Sequence, residues 1–309
     1  MSKKRLQTRV AISRFALPAV AAFAAVVCAA CGLADSSLWP AAGALVVSGF
    51  LMMELNNANA LIRIYSRMVS CSYLMMSCAA CFLLKDFSTG AAQVALAAFY
   101  LLLFRAYQDK QAVGSVFYAF ALLGIGSFWF VQLLWFVPLL WILLYSHVLA
   151  GSWRTFFASL FGLLIPYWFL AGYHIYAESL PELLAHFEAI AAVQPLGLPA
   201  DWTTADLLST ALVVVAFLTG AIHFHRNSYM DKIRTRMLYE VFTTMAVACI
   251  VLAALQPQHH HVLLGMLIVN TAPLVGHFIA LTHTRLTNIA FLLLLTATLA
   301  ITYYNVWNF

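Results

Sequence analysis

The chain has 309 residues, of which 64% are hydrophobic and only 9% are charged. Soluble domains carry about 25% charged residues, so this composition excludes a soluble globular protein and indicates a polytopic membrane protein. The formal net charge of +5 does not indicate nucleic-acid binding, because the basic residues are scattered between apolar runs.

Long apolar runs predict transmembrane helices along the whole chain. A helix needs about 20 apolar residues to cross a bilayer, and this length predicts about eleven such helices in a single transmembrane domain, residues 1–309. The predicted fold class is therefore all-α. The predicted spans lie near residues 15–34, 38–54, 68–85, 90–107, 112–128, 131–149, 155–177, 206–225, 240–256, 262–282 and 287–306.

The first span and the central pair each allow a second interpretation. The basic start MSKKRLQTRVAISRF precedes an apolar run, as in a signal peptide. Its small-residue cleavage signal is weak and many spans follow, so we interpret it as an uncleaved first span. Only Gly126 and Ser127 interrupt the run over residues 112–149, which is therefore either two spans or a re-entrant hairpin.

Positive charge is distributed unequally between alternate loops. If the N-terminus is cytoplasmic, 15 of the 16 Lys and Arg residues lie on the cytoplasmic side and only Lys85 lies outside. The long outer loop 178–205 contains neither Lys nor Arg, and its segment 181–187 predicts an amphipathic helix on the membrane surface. These loops predict a bacterial inner-membrane protein with a cytoplasmic N-terminus and an external C-terminus.

The asparagine segment, residues 51–68 (LMMELNNANALIRIYSRM), joins the second and third predicted spans on the cytoplasmic side. If it is helical, Asn59, Arg63 and Arg67 recur every four residues and share one face. Because a guanidinium group binds phosphate through two hydrogen bonds, we expect Asn57, Asn59, Arg63 and Arg67 to bind a lipid phosphate. The alternative is a turn whose arginines only determine topology.

The histidine segment, residues 223–240 (HFHRNSYMDKIRTRMLYE), is a second polar region on the cytoplasmic side. Lys232, Arg234 and Arg236 are expected at the membrane surface, where each basic residue gains about 1 kcal/mol from anionic lipids. They would form a second wall for an anionic headgroup. The alternative is an ordinary cytoplasmic connector.

Acidic and histidine side chains in the outer loops are candidates for acid–base catalysis. Asp35 follows the first span and is a candidate general base, although the sequence ADSS also predicts a helix cap there. Glu182 and His186 are four residues apart in the predicted surface helix, which places them on one face.

The cysteines and histidines do not form a recognisable metal motif. Two CAAC tetrapeptides lie within apolar spans, where a buried thiol behaves as a small hydrophobe. The run QPQHHH is an outer turn that can take a stray metal ion, and no Walker or Rossmann motif is present. We therefore expect no resident metal and no cofactor.

Residues 114–176 contain a span, a tight outer turn at Gly126-Ser127, a span with Pro138, a basic inner turn at residues 152–154 and another span. This pattern resembles the paired short helices of the GT-C membrane glycosyltransferases, and the resemblance implies glycosyl transfer. That superfamily usually has an acid in a large first outer loop, whereas this sequence offers only Asp35 in a short one.

A second resemblance covers most of the chain. The motifs are ELNNANALIR, GIGSFWF followed by SWRTFFASLFGLLIPYWF, and DKIRTRMLYE. With these motifs the chain resembles an uncharacterised family of polytopic inner-membrane proteins from Bacteroidota. The resemblance implies a membrane protein and no particular activity.

Together these features predict a protein that handles an anionic lipid, such as a polyprenyl phosphate, in the assembly of cell-envelope glycans. A minimal GT-C-like glycosyltransferase is one form of this function. The alternative is a non-enzymatic lipid translocase, transporter or scaffold subunit with a membrane protein partner. Whether the protein is an enzyme stays open, because the expected phosphate site is cytoplasmic and the candidate acids are external.

Overall fold

The computed structural model describes residues 5–33, 35–193, 202–282 and 284–309, and this part of the chain is α-helical without a β-strand. The predicted all-α fold class is confirmed. The thirteen α-helices of these ranges are α1 (Leu6–Ile12), α2 (Ala16–Ala30), α3 (Trp39–Asn59), α4 (Met68–Ala79), α5 (Phe87–Leu103), α6 (Val113–Gly126), α7 (Val137–Ser146), α8 (Trp153–Tyr176), α9 (Leu180–Ala191), α10 (Thr204–Asn227), α11 (Ile233–Leu255), α12 (His260–Leu281) and α13 (Arg285–Trp307). Short 3₁₀ segments cover Ser36–Leu38, Cys81–Lys85, Phe104–Ala106, Val131–Phe136, Ser228–Met230 and Pro257–His259.

Seven helical segments of the described chain are long and apolar enough to cross a membrane, or eight if α1 and α2 count as one bent span. The seven are Ser36–Asn59, Phe87–Ala106, Trp153–Tyr176, Thr204–Met230, Ile233–Leu255, Pro257–Leu281 and Arg285–Trp307. α4, α6 and the segment Val131–Ser146 are apolar but shorter. Helix length therefore does not reproduce the predicted count of about eleven. Hydropathy detects an apolar run but not a break within it, such as the one after Ala79.

Hydrogen bonds between loops divide the helix ends into two groups. At one end, which we call the basic end, the Ser66 hydroxyl donates to the Ala11 carbonyl and Arg63 donates to the Met230 carbonyl. Every described Lys and Arg except Lys85 lies in a loop of this end, in α1 or directly before it, or within one helical turn of such a loop. The basic end comprises residues 13–15, 60–67, 104–112, 147–152, 228–232, 282 and 284.

The opposite group of helix ends, which we call the acidic end, is also held together by side chains. The Asn305 amide donates to the Ala79 carbonyl at 2.6 Å and to the Ser209 hydroxyl at 2.8 Å. The acidic end comprises residues 31–33, 35–38, 80–86, 127–136, 177–179, 192–193, 202–203, 256–259 and 308–309. Successive long helices run between the two ends, so the charge asymmetry seen in the sequence is also an asymmetry of the fold.

The short helix α1 lies across the basic end at 91° to α2. Gln7, only 1% exposed, anchors it by donating to the carbonyls of Phe278 and Ile279 and to the hydroxyl of Thr282. A buried amide must find such partners, because water cannot supply them. The basic N-terminal sequence therefore turns at residues 13–15 before the apolar run begins.

α12 is the central helix, and 94% of an apolar 18-residue stretch within Pro257–Leu281 is buried. It packs against α4, α5, α10 and α11. Two glycines permit close packing: a Cβ on Gly220 of α10 would lie 2.8 Å from the Leu274 backbone, and one on Gly276 would lie 2.9 Å from the Val69 nitrogen. Small residues commonly allow helices to approach closely in membranes.

The region 114–176 contains α6, the 3₁₀ segment before α7, and α8. The tight turn after α6 is fixed by Ser127, whose hydroxyl donates to the Gly124 carbonyl at 2.7 Å and lies 2.6 Å from the Tyr167 hydroxyl. Ser152 and Thr155 form a capping box that starts α8. The two segments on either side of this turn, α6 and Val131–Ser146, are shorter than the predicted spans, and the likeness to GT-C enzymes stays a prediction.

Candidate functional site at the basic end

The asparagine segment is not the continuous helix on which the phosphate-binding stripe depended. α3 ends at Asn59, and Ala60 adopts a left-handed conformation with φ of 47°. Residues 61–67 contain no α-helix, so the prediction that Asn59, Arg63 and Arg67 share one helical face is wrong. Ala60 ends the helix although alanine is a strong helix former, because tertiary contacts override local propensity.

Buried amides organise the turn that replaces this stripe. Asn56 donates to the Ser66 carbonyl at 3.1 Å and accepts from the Ile62 N–H at 3.3 Å, which ties the two ends of the turn together. On the solvent side, Arg67 donates to the Asn57 side-chain oxygen at 3.1 Å. These hydrogen bonds therefore hold the turn in a defined conformation, which places the Arg67 guanidinium beside Asn57.

The structure brings the asparagine and histidine segments into contact, although they are far apart in sequence. Arg234 donates to the Asn59 side-chain oxygen at 2.9 Å and to the Phe104 carbonyl at 3.2 Å. Arg63 donates to the Met230 carbonyl at 3.3 Å. Asn59 and Arg234 are thus engaged with protein groups, which leaves less of their hydrogen-bonding capacity for a headgroup.

The other two predicted basic residues have different environments. Lys232 is exposed and directly precedes the first residue of α11. Arg236 is half-buried, and its Nε atom has no hydrogen-bond partner in the described ranges. Of the seven residues predicted to bind phosphate, five make the contacts described above, and Lys232 and Arg236 are joined to them only through the histidine segment.

A buried acid–imidazole pair lies beneath this surface and was missed by the sequence analysis. Asp231 Oδ2 lies 2.9 Å from His277 Nε2, and the two side chains are 3% and 1% exposed. Arg63, which is 43% exposed, approaches Asp231 Oδ1 at 3.9 Å. The His223 ring lies 5.4 Å from the His277 ring between centroids. Ionisable groups buried in a membrane bundle are costly, so this cluster is a candidate for function.

One nitrogen atom of each of the two histidines is buried without a hydrogen bond in the described ranges. Neither His223 Nδ1 nor His277 Nδ1 has a hydrogen-bond partner among the residues that the structure describes. Asp231 therefore contacts one nitrogen of His277, and the other nitrogen has no hydrogen-bond partner among the described residues. Sequence alone gave little indication of the pair, because Asp231 lies in a charged loop and His277 lies 46 positions away in an apolar helix.

A lateral cavity extends from the basic end into the bundle. Its volume is about 380 Å³, and α1, α2, α4, α10, α12 and α13 form its walls. The side chains that line it are almost all apolar: Val10, Ser13, Phe15, Ala16, Ala19, Val20, Met68, Cys71, Ser72, Met75, Met76, Leu212, Ala216, Val275, Ile279, Phe291, Leu294, Leu295 and Thr298. An apolar cavity inside a membrane bundle suits a hydrocarbon chain.

Two arginines adjoin, in sequence, residues that line this lateral cavity. Arg14 stands between the lining residues Ser13 and Phe15, is exposed, and has no hydrogen-bond or ion-pair partner in the described ranges. Arg67 directly precedes the lining residue Met68. An apolar cavity with arginines near its lining residues complements an anionic lipid, which has an apolar chain and a negatively charged headgroup.

The three candidate catalytic residues of the outer loops do not form one site. Asp35 accepts from the Ser37 N–H at 2.9 Å, and this hydrogen bond lowers the pKa of its carboxyl group. It therefore caps the segment Ser36–Leu38, the alternative that its sequence also allowed. Asp35 borders an open pocket with Lys85 and Phe309, at the acidic end.

Glu182 and His186 lie on α9, so a helix is present where the sequence predicted one, and its location on an outer membrane surface stays a prediction. Residues 194–201 of that loop lie outside the described residues. His186 Nε2 lies 3.3 Å from the Tyr167 hydroxyl, and burial is the main cause that lowers the pKa of its imidazole. Glu182 is exposed, and no hydrogen bond or ion pair joins it to His186 or to Asp35 in the described part of the chain.

Comparison with protein-family models, curated proteins and solved structures gives no match for this chain.

Proposed function

We propose that this membrane protein binds an anionic lipid at the basic end, with a hydrocarbon chain in the lateral cavity and the headgroup at Arg14 and Arg67. The observation that carries the proposal is the cavity, whose volume of about 380 Å³ is lined almost entirely by apolar side chains. Ligand pockets commonly measure about 300–1,000 Å³. Burial of apolar area is less favourable in a membrane than in water, so packing and headgroup contacts supply the specificity.

The headgroup contacts follow from the position of the two arginines. Arg67 uses one guanidinium nitrogen for Asn57, and its remaining N–H groups are free to bind phosphate oxygens. Arg14, which adjoins the lining residues Ser13 and Phe15 in sequence, adds a second guanidinium without a partner in the described ranges. A polyprenyl phosphate and an ordinary anionic phospholipid share this phosphate chemistry, and we prefer the polyprenyl phosphate as a substrate in envelope glycan assembly.

Binding and carriage of the lipid is a better description than glycosyl transfer. The phosphate-binding groups lie at the basic end, whereas Asp35, Glu182 and His186 lie at the acidic end and do not converge. One reaction site cannot use both sets of groups. We therefore favour the carrier or accessory-subunit form of the predicted function over a GT-C-like enzyme.

The proposed orientation has the basic end in the cytoplasm of a bacterial inner membrane, as the positive-inside rule requires. In this arrangement α2, α4, α6 and α7 also cross part of the bilayer, which gives about eleven passes with an external C-terminus. The alternation of helix ends between the basic and acidic ends supports this count. Thinning of the bilayer or burial between longer helices accommodates short segments.

The test is mass spectrometry of the lipids that copurify with the detergent-solubilised protein. Arg14→Ala combined with Arg67→Ala removes the headgroup contacts, and Ala19→Trp fills the cavity from an exposed lining position on α2. The matched controls are Arg105→Ala, which removes an exposed charge of the same end, and Ala25→Trp, on an exposed part of α2 that does not line the cavity.

We expect one enriched anionic lipid in the wild type, reduced at least tenfold by either cavity-site change and unchanged in both controls. Enrichment of a polyprenyl phosphate supports the carrier role in glycan assembly, and enrichment of a phospholipid reassigns the lipid. Lipid of bulk membrane composition, bound equally by all five proteins, would refute the proposal. Size-exclusion profiles show which variants remain folded.

A further inference from the structure

Three donor groups meet at the acidic end, away from the lipid-binding cavity. They are Asp206 in the first turn of α10 and the adjacent residues His260 and His261, which begin α12. Asp206 Oδ1 lies 3.3 Å from His260 Nε2 and 3.1 Å from His261 Nε2. One donor atom from each residue lies within 4.8 Å of the other two.

These separations match the geometry of a tetrahedral metal centre. Zinc binds imidazole nitrogen and carboxylate oxygen at about 2.0–2.2 Å, so two ligand atoms of a tetrahedral site lie about 3.3 Å apart. The two observed oxygen–nitrogen distances of 3.3 and 3.1 Å need little adjustment to reach this value. The third pair of donor atoms lies within 4.8 Å, so the three atoms are close enough together to bind one ion.

Hydrogen bonding alone does not account for the arrangement. His260 Nε2 is buried and has no hydrogen-bond partner among the described residues, although Asp206 Oδ1 lies nearby. The two imidazole rings lie only 4.1 Å apart between centroids. Two imidazolium ions at that distance would repel each other, whereas one cation shared by two neutral imidazoles would satisfy all three residues.

The neighbouring side chains hold the donors in place. Asp206 Oδ2 accepts from the Thr203 N–H at 2.9 Å and from the Thr203 hydroxyl at 2.8 Å, which leaves Oδ1 directed at the histidines. The His261 ring packs on Phe82 at 5.3 Å and the His260 ring on Trp202 at 4.8 Å. Such contacts fix ligand orientation and typically contribute about 10–100-fold to metal affinity.

We propose that Asp206, His260 and His261 form a binding site for a divalent transition-metal ion, with Zn²⁺ as the ion that best fits two imidazoles and one carboxylate. Three protein ligands leave a fourth position for water or for an anionic ligand. No metal site was predicted from the sequence, because the HHH run has no ligand spacing by itself and Asp206 lies 54 positions before His260. The site lies on the face proposed to be external and is independent of the lipid proposal.

The test is a zinc titration of the full-length protein in detergent after removal of metal with a chelator, followed by isothermal calorimetry and metal analysis. His261→Ala and Asp206→Asn each remove one donor, and asparagine keeps a side-chain oxygen that can accept from the Thr203 N–H of the α10 capping box. The matched control is His259→Ala, which removes the neighbouring histidine that packs on Phe130 and Trp135 outside the donor group. Melting temperatures with and without Zn²⁺ provide a second readout.

We expect one Zn²⁺ per chain, a zinc-dependent rise in melting temperature, and at least a tenfold loss of affinity in both donor variants but not in His259→Ala. Equal loss in His259→Ala would assign the binding to an unstructured run of histidines and overturn the proposal. Failure of the folded wild-type protein to bind Zn²⁺ at micromolar concentration would overturn it as well.

Discussion

Replacement of Asp231 by alanine tests the energetic role of the buried pair at the basic end. The carboxylate is 3% exposed and lies 2.9 Å from His277 Nε2, whose ring is 1% exposed. The substitution leaves both ring nitrogens of His277 without a partner in the described part of the chain, since Nδ1 has none at the outset. The cost therefore measures how strongly the interior depends on this one contact.

The structure sets the expected magnitude. Removing one partner of a buried ion pair typically costs about 3–5 kcal/mol, whereas leaving one neutral buried group unsatisfied costs about 1–3 kcal/mol. We expect about 3 kcal/mol for Asp231→Ala, with a similar value for His277→Ala. Arg63 is 43% exposed and 3.9 Å from the same carboxylate, so Arg63→Ala should cost less than about 1 kcal/mol.

The assay is reversible unfolding in mixed micelles, with a double-mutant cycle over Asp231 and His277. Two residues in direct contact should show a coupling energy of about 1–3 kcal/mol, so that the double variant costs much less than the sum of the single changes. Additive effects, or a cost below about 1 kcal/mol for Asp231→Ala, would refute the conclusion that the pair is a closed, mutually dependent contact.

Two further predictions concern the helix packing and the orientation. Gly162→Ala on α8 places a Cβ 2.4 Å from the Phe117 carbonyl oxygen of α6 and should destabilise the protein by about 1–3 kcal/mol. Gly172→Ala on the same helix meets nothing within 4 Å and should be neutral or slightly stabilising in the same unfolding assay, so equal effects would contradict the crossing. A single cysteine at Tyr176, 89% exposed at the acidic end, should react with an impermeant maleimide in intact cells, while one at Tyr229, 70% exposed at the basic end, should react only after lysis. The described native cysteines are all buried and give little background, and the reverse labelling would invert the proposed orientation.

The amino-acid sequence by itself determined the class of the protein. With 64% hydrophobic and 9% charged residues, the chain has more apolar surface than a soluble fold can bury, so helices in a membrane follow from its composition. The distribution of Lys and Arg between alternate loops was equally readable, because charge and hydropathy are properties of short stretches. A helix cap could also be predicted from the local sequence ADSS, and the Asp35 side chain does cap the segment that follows it.

The tertiary structure alone decided where the chemistry lies. Asn59 meets Arg234 across 175 positions, and Asp231 meets His277 across 46, through contacts that no local pattern encodes. α3 stops at Asn59 because Ala60 takes a left-handed conformation where the sequence has neither glycine nor proline. The lateral cavity, likewise, exists only where several separate helices leave a gap. Local sequence sets the medium and the elements, whereas sites made from distant segments depend on how those elements pack.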